Sequence, residues 1–267
     1  MAVIQLNGVG IYFEQNDFSP FWEPPRTPIL FIHGLGVDHT IWSGQLAQFG
    51  RRRPVVLVDL RGHGRSDKMI DADYSIAAHA EDVLALLRYL SLGPAIVVGT
   101  SMGGLIAQQV ASLRPDTVRA LVLIGTWAEP SPDLNLVDIL ARFDAAPDLA
   151  AYYMPIVQRT HPVDTDPAAV QQILELTTHN PRETTRAGTA ATFGYRDPDA
   201  ARQIKAPTLI VAGEHEERAT PERSARLREL IHHARLAIIA GAGHAPYLET
   251  PAAFNQAVFD FLEQEGL

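Results

Sequence analysis

Six short runs of almost unbroken apolar residues recur along the chain: "ILFI" (29–32), "VVLV" (55–58), "AIVVG" (95–99), "VRALVLIG" (118–125), "TLIVAG" (208–213) and "LAIIAG" (236–241). A strand with one face in water alternates apolar and polar residues. A strand apolar at nearly every position is covered on both faces, as in a parallel sheet. Neighbouring parallel strands need crossover connections, and the stretches between the runs read as helices. In "SIAAHAEDVLALLRYL" Val83, Leu84, Leu87 and Leu90 share one side, and Ser75 is placed to cap the start. "MGGLIAQQVASLRP" and "PAAFNQAVFDFLEQ" behave alike. "VIQLNGVGIYFEQ", ahead of these units, predicts a hairpin turning at Asn7-Gly8. The fold class is therefore α/β, with a doubly wound sheet.

The alternation fails in one place. Residues 127–199 hold no strand-like run, only helix-like pieces punctuated by eight prolines between 130 and 198. Alternation resumes at "APTLIVAG", so both flanks belong to one sheet. The predicted organisation is a core of residues 1–126 and 200–267 with a helical cap of residues 127–199 inserted over the strand ends.

Bulk properties exclude several functions. The net charge is −9 and Lys and Arg are scattered apart from residues 51–53, which argues against a nucleic-acid partner. No cysteine is present, so disulfides, thiolate metal sites and a cysteine nucleophile are ruled out. The start lacks the basic and apolar regions of a secretion signal, and no apolar run approaches the ~18 residues of a membrane span. A soluble cytoplasmic protein is expected. "GVGIYF", "GLGVDH" and "GAGHAP" lack the third glycine of a dinucleotide fingerprint, and no close pairing of His ligands occurs, so neither cofactor nor metal is expected.

The chemistry concentrates in "VVGTSMGG" (97–104). A serine flanked two residues away on each side by glycine, after a buried strand and before a helix, fits a sharp turn that exposes its hydroxyl. The glycines remove side chains that would strike neighbouring backbone. Ser101 is thus the candidate nucleophile, and a serine hydroxyl needs a base to act near neutral pH. Of ten histidines, His244 in "IIAGAGHAPYLETP" follows the last strand in a Gly-rich loop, at a strand's carboxyl end. His33 and His63 read as loop and turn residues, and His232 and His233 as a polar helix end. His39, His79, His161, His179 and His215 read as surface or cap residues. A carboxylate must orient the base. Glu216 and Glu217 in "GEHEERATP" and Glu129 in "GTWAEP" are the candidates, with Glu216 first. An oxyanion hole would draw one N–H from Met102, at a helix N-terminus, and one from "HGLG", at Leu35.

"HGLG", "DLRGHGRSD", "GTSMGG", the "GEHE…TP" loop and "GAGHAPYLETP" run in an order that resembles the α/β-hydrolase superfamily. Several stretches look most like small bacterial esterases and 3-oxoadipate enol-lactonases. The resemblance implies an eight-stranded, mostly parallel sheet with a cap after the sixth strand. It implies a nucleophile–acid–histidine set, which falls on Ser101, Glu216 and His244. The family's usual acid is Asp where this chain has Glu216, and some members take it from the end of the sixth strand, here Gly125. Serine at the nucleophile position disfavours the halide- and epoxide-hydrolysing branches. The expected function is hydrolysis of a carboxylic ester or lactone through an acyl-enzyme. C–C bond hydrolysis, acyl transfer, perhydrolysis or a non-catalytic receptor are the alternatives. The expected partner is a small molecule with an apolar or aromatic portion, meeting cap residues such as Trp127, Phe143, Tyr152, Tyr153, Met154, Phe193 and Tyr195. Arg142, Arg159 and Arg186 are candidates to meet a carboxylate, and Arg61 to buttress the site.

Overall fold

The computed structural model describes every residue except Phe21, Glu23, Pro25 and Val163. Eight strands form one sheet: β1 (Ala2–Leu6), β2 (Val9–Asn16), β3 (Ile29–Ile32), β4 (Val55–Val58), β5 (Ala95–Thr100), β6 (Val118–Ile124), β7 (Thr208–Gly213) and β8 (Arg235–Ile239). Their order is β1-β2-β4-β3-β5-β6-β7-β8. The hairpin pairs antiparallel and joins β4 antiparallel, and every other pairing is parallel. The hairpin turn is the expected one, with Asn7 and Gly8 both at positive φ.

Eleven helices accompany the sheet among the described residues. The first three are α1 (Ser43–Phe49), α2 (Ile76–Tyr89) and α3 (Met102–Leu113). Next come α4 (Leu136–Ala145), α5 (Leu149–Thr160), α6 (Pro167–Thr178), α7 (Arg182–Gly194) and α8 (Pro198–Gln203). The last are α9 (Pro221–Leu230), α10 (Pro246–Glu249) and α11 (Pro251–Gln264). Strand side chains alternate between two cores, as the period of two dictates. Leu30, Ile32, Val97, Leu121, Leu123 and Ile210 pack with α2, α3 and α9. Ile29, Phe31, Ile96, Val98, Val122 and Val211 pack with α1 and α11 on the other face. Continuous apolar runs are thus what a sheet covered on both sides requires. The exception is β8, where Arg235 and Ile238 are exposed. It lies at one edge of the sheet, so its apolar run is covered only in part.

Helices α4–α8 all lie between β6 and β7. Side chains of Asn135, Asp148, Asp166 and Asp197 cap α4, α5, α6 and α8. Pro167 and Pro198 open helices, where a missing N–H goes unmissed, whereas Pro155 lies inside α5. No helix among the described residues is long and apolar enough to cross a membrane.

The sheet order places β3 between β4 and β5, so the winding direction reverses there. Crevices for ligands open at the carboxyl ends of strands at such a reversal. "HGLG" follows β3 and "TSMG" closes β5. Close approach is enforced by missing side chains: a Cβ on Gly99 would land on the Gly103 backbone, and one on Gly103 on the carbonyls of Ile32 and His33. Backbone on all sides leaves no soft group to yield. Gly103→Ala is therefore expected to destabilise the protein by about 1–3 kcal/mol in urea unfolding. An unchanged midpoint would show that the β3–α3 contact is looser than this.

Candidate active site

Ser101 occupies the turn between β5 and α3 with φ 52° and ψ −116°, a conformation that is rare for a residue with a side chain. The turn is fixed on both sides of the residue. The Ser101 N–H donates to Ile124 O at 2.8 Å, and its carbonyl accepts from Gly104 N and from the Thr126 hydroxyl, each at 2.9 Å. A Cβ on Gly34 would sit 3.4 Å from the Ser101 Cβ, so the loop after β3 lies directly against the serine.

His244 enters from the loop after β8. Its Nδ1 is 2.5 Å from Glu216 Oε2, and the other Glu216 oxygen accepts the Arg218 N–H at 2.7 Å. Burial alone would push the Glu216 carboxyl up. The charge and hydrogen bond of His244, with the Arg218 N–H and charge, outweigh it and hold the pKa at about 2. Glu216 is therefore ionised wherever the protein is folded near neutrality, which fixes the proton of His244 on Nδ1 and leaves Nε2 as the acceptor. Room for this pair comes from Gly125 at the end of β6. At φ 53°, its missing Cβ would lie 3.0 Å from Glu216 Oε2 and 3.2 Å from the His244 ring. Glu217 instead pairs with Arg159 at 3.2 Å, and Glu129 lies away from His244, where its carbonyl accepts from Arg223. Ser101 and His244 line the same pocket without a hydrogen bond between them. Such contacts commonly tighten only around substrate.

The loop after β3 is braced from below. His33 Nδ1 donates to Gly34 O at 2.7 Å, and its Nε2 accepts the Leu60 N–H at 2.9 Å, so this buried imidazole is neutral. The ring of His63 packs beside it. From above, Asn180 donates to Gly36 O at 2.8 Å, and the Leu35 side chain fits where Gly188 of α7 has no Cβ. The N–H groups of Leu35 and Met102 have no internal acceptor among the described residues. Arg61 does not reach this site. It donates twice to Asp82 of α2, at 2.6 and 2.7 Å, and holds the "RGHGRSD" turn.

Three of the histidines expected in surface or cap roles are buried, His161 among them at the C-terminal cap of α5. His39 is bonded to Asp59 at 2.7 Å, His79 to Ser75 O at 2.9 Å and His161 to Val157 O at 3.0 Å. His79 lies four residues before Val83 on the apolar side of α2, a sign of burial present in the sequence, whereas His39 and His161 follow no such period. Asp38, His39 and Asp59 have the reach of a metal-binding group. Both oxygens of Asp59 already accept, one from His39 N and Nδ1 and the other from Arg65 N, and Asp38 Oδ1 accepts from Thr40. The cluster is a fastening of the turn.

Two cavities meet above Ser101. The inner one, about 70 Å³, is lined by Ser101, His244, Gly34, Leu35, Tyr153 and Tyr247 among others. The outer one, about 510 Å³, runs among the inserted helices past Trp127, Ile139 and Pro155. They share Tyr152, Ile156, Phe193 and Arg218. Of the other cap residues expected in a pocket wall, Phe143 is fully buried, Met154 is exposed and Tyr195 bonds Gln109. Arg142 and Arg159 do line the outer cavity, whereas Arg186 pairs with Asp144 at the surface. Arg218 was missed, because nothing distinguishes it within the charge run "EHEER".

The depressed Glu216 carboxyl has a consequence for stability. Its contribution is fully present above the unfolded pKa, near 4.5, and is lost as pH falls toward about 2. The stability advantage of the wild type over Glu216→Gln in urea is expected to shrink steadily from about pH 5 to pH 3. A difference that stays constant across that window would count against an ionised, paired Glu216.

Comparison with known proteins agrees with this architecture. A family model described as the alpha/beta hydrolase fold matches residues 27–251. A relative from Pseudomonas savastanoi pv. phaseolicola, named "Putative carbamate hydrolase RutD", is 28% identical over 249 residues, spanning 89% of this chain and 95% of that protein. The crystal structure of an enol-lactonase from Burkholderia xenovorans LB400 superposes with a TM-score of 0.88 at 26% identity, covering 98% of this chain and 99% of that one. Est816, described as an N-acyl homoserine lactone degrading enzyme, gives 0.87 at 27% identity, covering 97% and 99%. The chain is a member of the alpha/beta hydrolase family.

Proposed function

We propose that the protein is a serine hydrolase that cleaves a carboxylic ester or lactone through an acyl-enzyme, with Ser101 as nucleophile, His244 as base and Glu216 as the orienting acid. The observation that carries this reading is the convergence on one pocket of a strained, glycine-flanked serine and an imidazole bonded through Nδ1 to a buried carboxylate. The lactone- and ester-directed names of the structural relatives point the same way.

The steps follow from the geometry. Nε2 of His244 takes the Ser101 proton as Oγ attacks the carbonyl carbon, and Glu216 stabilises the imidazolium. The oxyanion accepts hydrogen bonds from the N–H groups of Leu35 and Met102, the second at the positive end of α3. The intermediate collapses as His244 returns the proton to the leaving alkoxide. Water, deprotonated by His244, then cleaves the acyl-enzyme and restores Ser101. The same set would attack a carbamate carbonyl, the bond named for RutD, so carbamates are the second class to assay.

Ser101→Ala is expected to lower turnover of a nitrophenyl ester by about four to six orders of magnitude while leaving the fold intact by circular dichroism. A fluorophosphonate probe should label the wild type at Ser101 alone. Folded protein that resists the probe would instead favour a non-catalytic receptor, and a variant that keeps most of its activity would remove Ser101 from the mechanism.

A further inference from the structure

The chain carries a net charge of −9, yet the cavity beyond Ser101 is lined by four arginines and two carboxylates. Most of these charges are occupied or open to water. Arg159 pairs with Glu217 at 3.2 Å, and Asp133 is exposed. Arg142 reaches only the Asp138 carbonyl, at 3.4 Å, and is also exposed. Arg223 donates to the carbonyls of Arg218 and Glu129 and lies over the Trp127 ring.

Arg218 differs from all of them. It is partly buried, and its guanidinium has no ion pair or hydrogen bond among the described residues. The adjacent carboxylate does not take it up. Both oxygens of Glu216 are engaged, one by His244 and the other by the backbone N–H of Arg218 itself. Phe193 offers only the face of its ring, with the centroid 5.9 Å from the guanidinium, and supplies neither an acceptor atom nor a counter-charge. Arg218 is one of four residues lining both cavities, so its fork stands where a substrate would pass from one to the other. Glu216 is close enough to act on Arg218 through its charge but does not bond the guanidinium, so the N–H groups of a partly desolvated cation are left for a partner that arrives from outside. Guanidinium presents paired N–H groups that match a carboxylate. The other shared walls, Tyr152, Ile156 and Phe193, suit the carbon skeleton between the two ends.

We infer that Arg218 receives a carboxylate carried by the substrate remote from its scissile carbonyl, so that the preferred substrates are anionic esters or lactones. The inference rests on the serine-hydrolase reading. In binding, however, it can be tested without turnover.

The experiment uses Ser101→Ala protein and two matched sets of esters. One set carries the remote carboxylate on the acyl side (half-esters of glutaric, pimelic and azelaic acid), the other on the alcohol side (acetate esters of hydroxyacids). Each is compared with the same molecule after methylation of the carboxylate. Calorimetry should show at least one anionic set binding roughly ten- to a hundredfold more tightly than its methylated partner. Adding Arg218→Met should bring that ratio close to one, and adding Arg142→Met should leave most of it. Equal binding of anionic and methylated forms in both sets would overturn the inference even if turnover of neutral esters is fast. A ratio that survives Arg218→Met would overturn it too, including the case where Arg218 merely supports Glu216 and both forms weaken alike. Should the wild type label with fluorophosphonate yet prefer neutral esters, only this inference fails. Should Ser101→Ala retain turnover, the hydrolase reading fails, and the binding ratios still decide the role of Arg218.

Discussion

The Ser101 backbone lies in a region that a side-chain-bearing residue reaches only when its surroundings over-determine it, at a cost of about 1–3 kcal/mol. Here the surroundings do so. Its N–H is tied to β6 through Ile124 O and its carbonyl to Thr126. The glycines at 99 and 103 let β5, α3 and β3 approach to backbone contact. The same approach leaves the N–H groups of Met102 and Leu35 without internal acceptors on either side of the hydroxyl. Strain, close packing and unsatisfied donors are thus one feature seen three ways. Relaxing the turn would reclaim the strain energy and dissolve the site.

The Glu216–His244 pair obeys a second constraint, that of volume. A glutamate reaching in from the loop after β7 carries one methylene more than an aspartate would. The end of β6 accommodates it by having no side chain at all, with Gly125 bordering both the Glu216 carboxylate and the His244 ring. The buried carboxylate is held ionised by contacts that oppose the desolvation penalty, chiefly His244 and the backbone N–H of Arg218. Position 125 and position 216 therefore constrain each other: a carboxylate at the first would collide with the one at the second.

The parts of this arrangement that are local in sequence were legible there. Doubly covered strands show as unbroken apolar runs, and of the six such runs only β8, at one edge of the sheet, is half exposed. Ser101 and His244 stand out because a turn or a strand end marks each. The partner of His244 could only be narrowed to Glu216, Glu217 and Glu129, because it depends on which side chain meets a ring 28 residues further on. Burial of His39 and His161 leaves no period to read, whereas His79 shares the helical register of Val83 and Leu87. Pro155 reads as a break yet sits within α5, where tertiary packing overrides its propensity. Arg218 is invisible for the opposite reason: a solvated charge run and a desolvated cation are spelled alike, and only the enclosing helices tell them apart.

Those helices do more than enclose. The carbonyl of Thr160, at the end of α5, accepts the His244 N–H at 2.9 Å, and Gly243 has no side chain where that carbonyl passes. Glu249 grips the same loop from the other side, accepting from Gly243 N and Ala245 N at 2.5 and 3.3 Å, with His161 3.7 Å from its carboxylate. Asn180, between α6 and α7, holds the Gly36 carbonyl of the loop that offers Leu35. The segment that shapes the outer cavity is therefore also a brace for the histidine and for one N–H donor. Substitutions at the bracing positions Thr160 and Asn180 would load the backbone that holds His244 and the loop of Leu35. Side chains on the cavity-facing surface, Tyr152 and Ile156 for example, stand apart from these braces. Substrate range can change there at the least disturbance to the catalytic geometry.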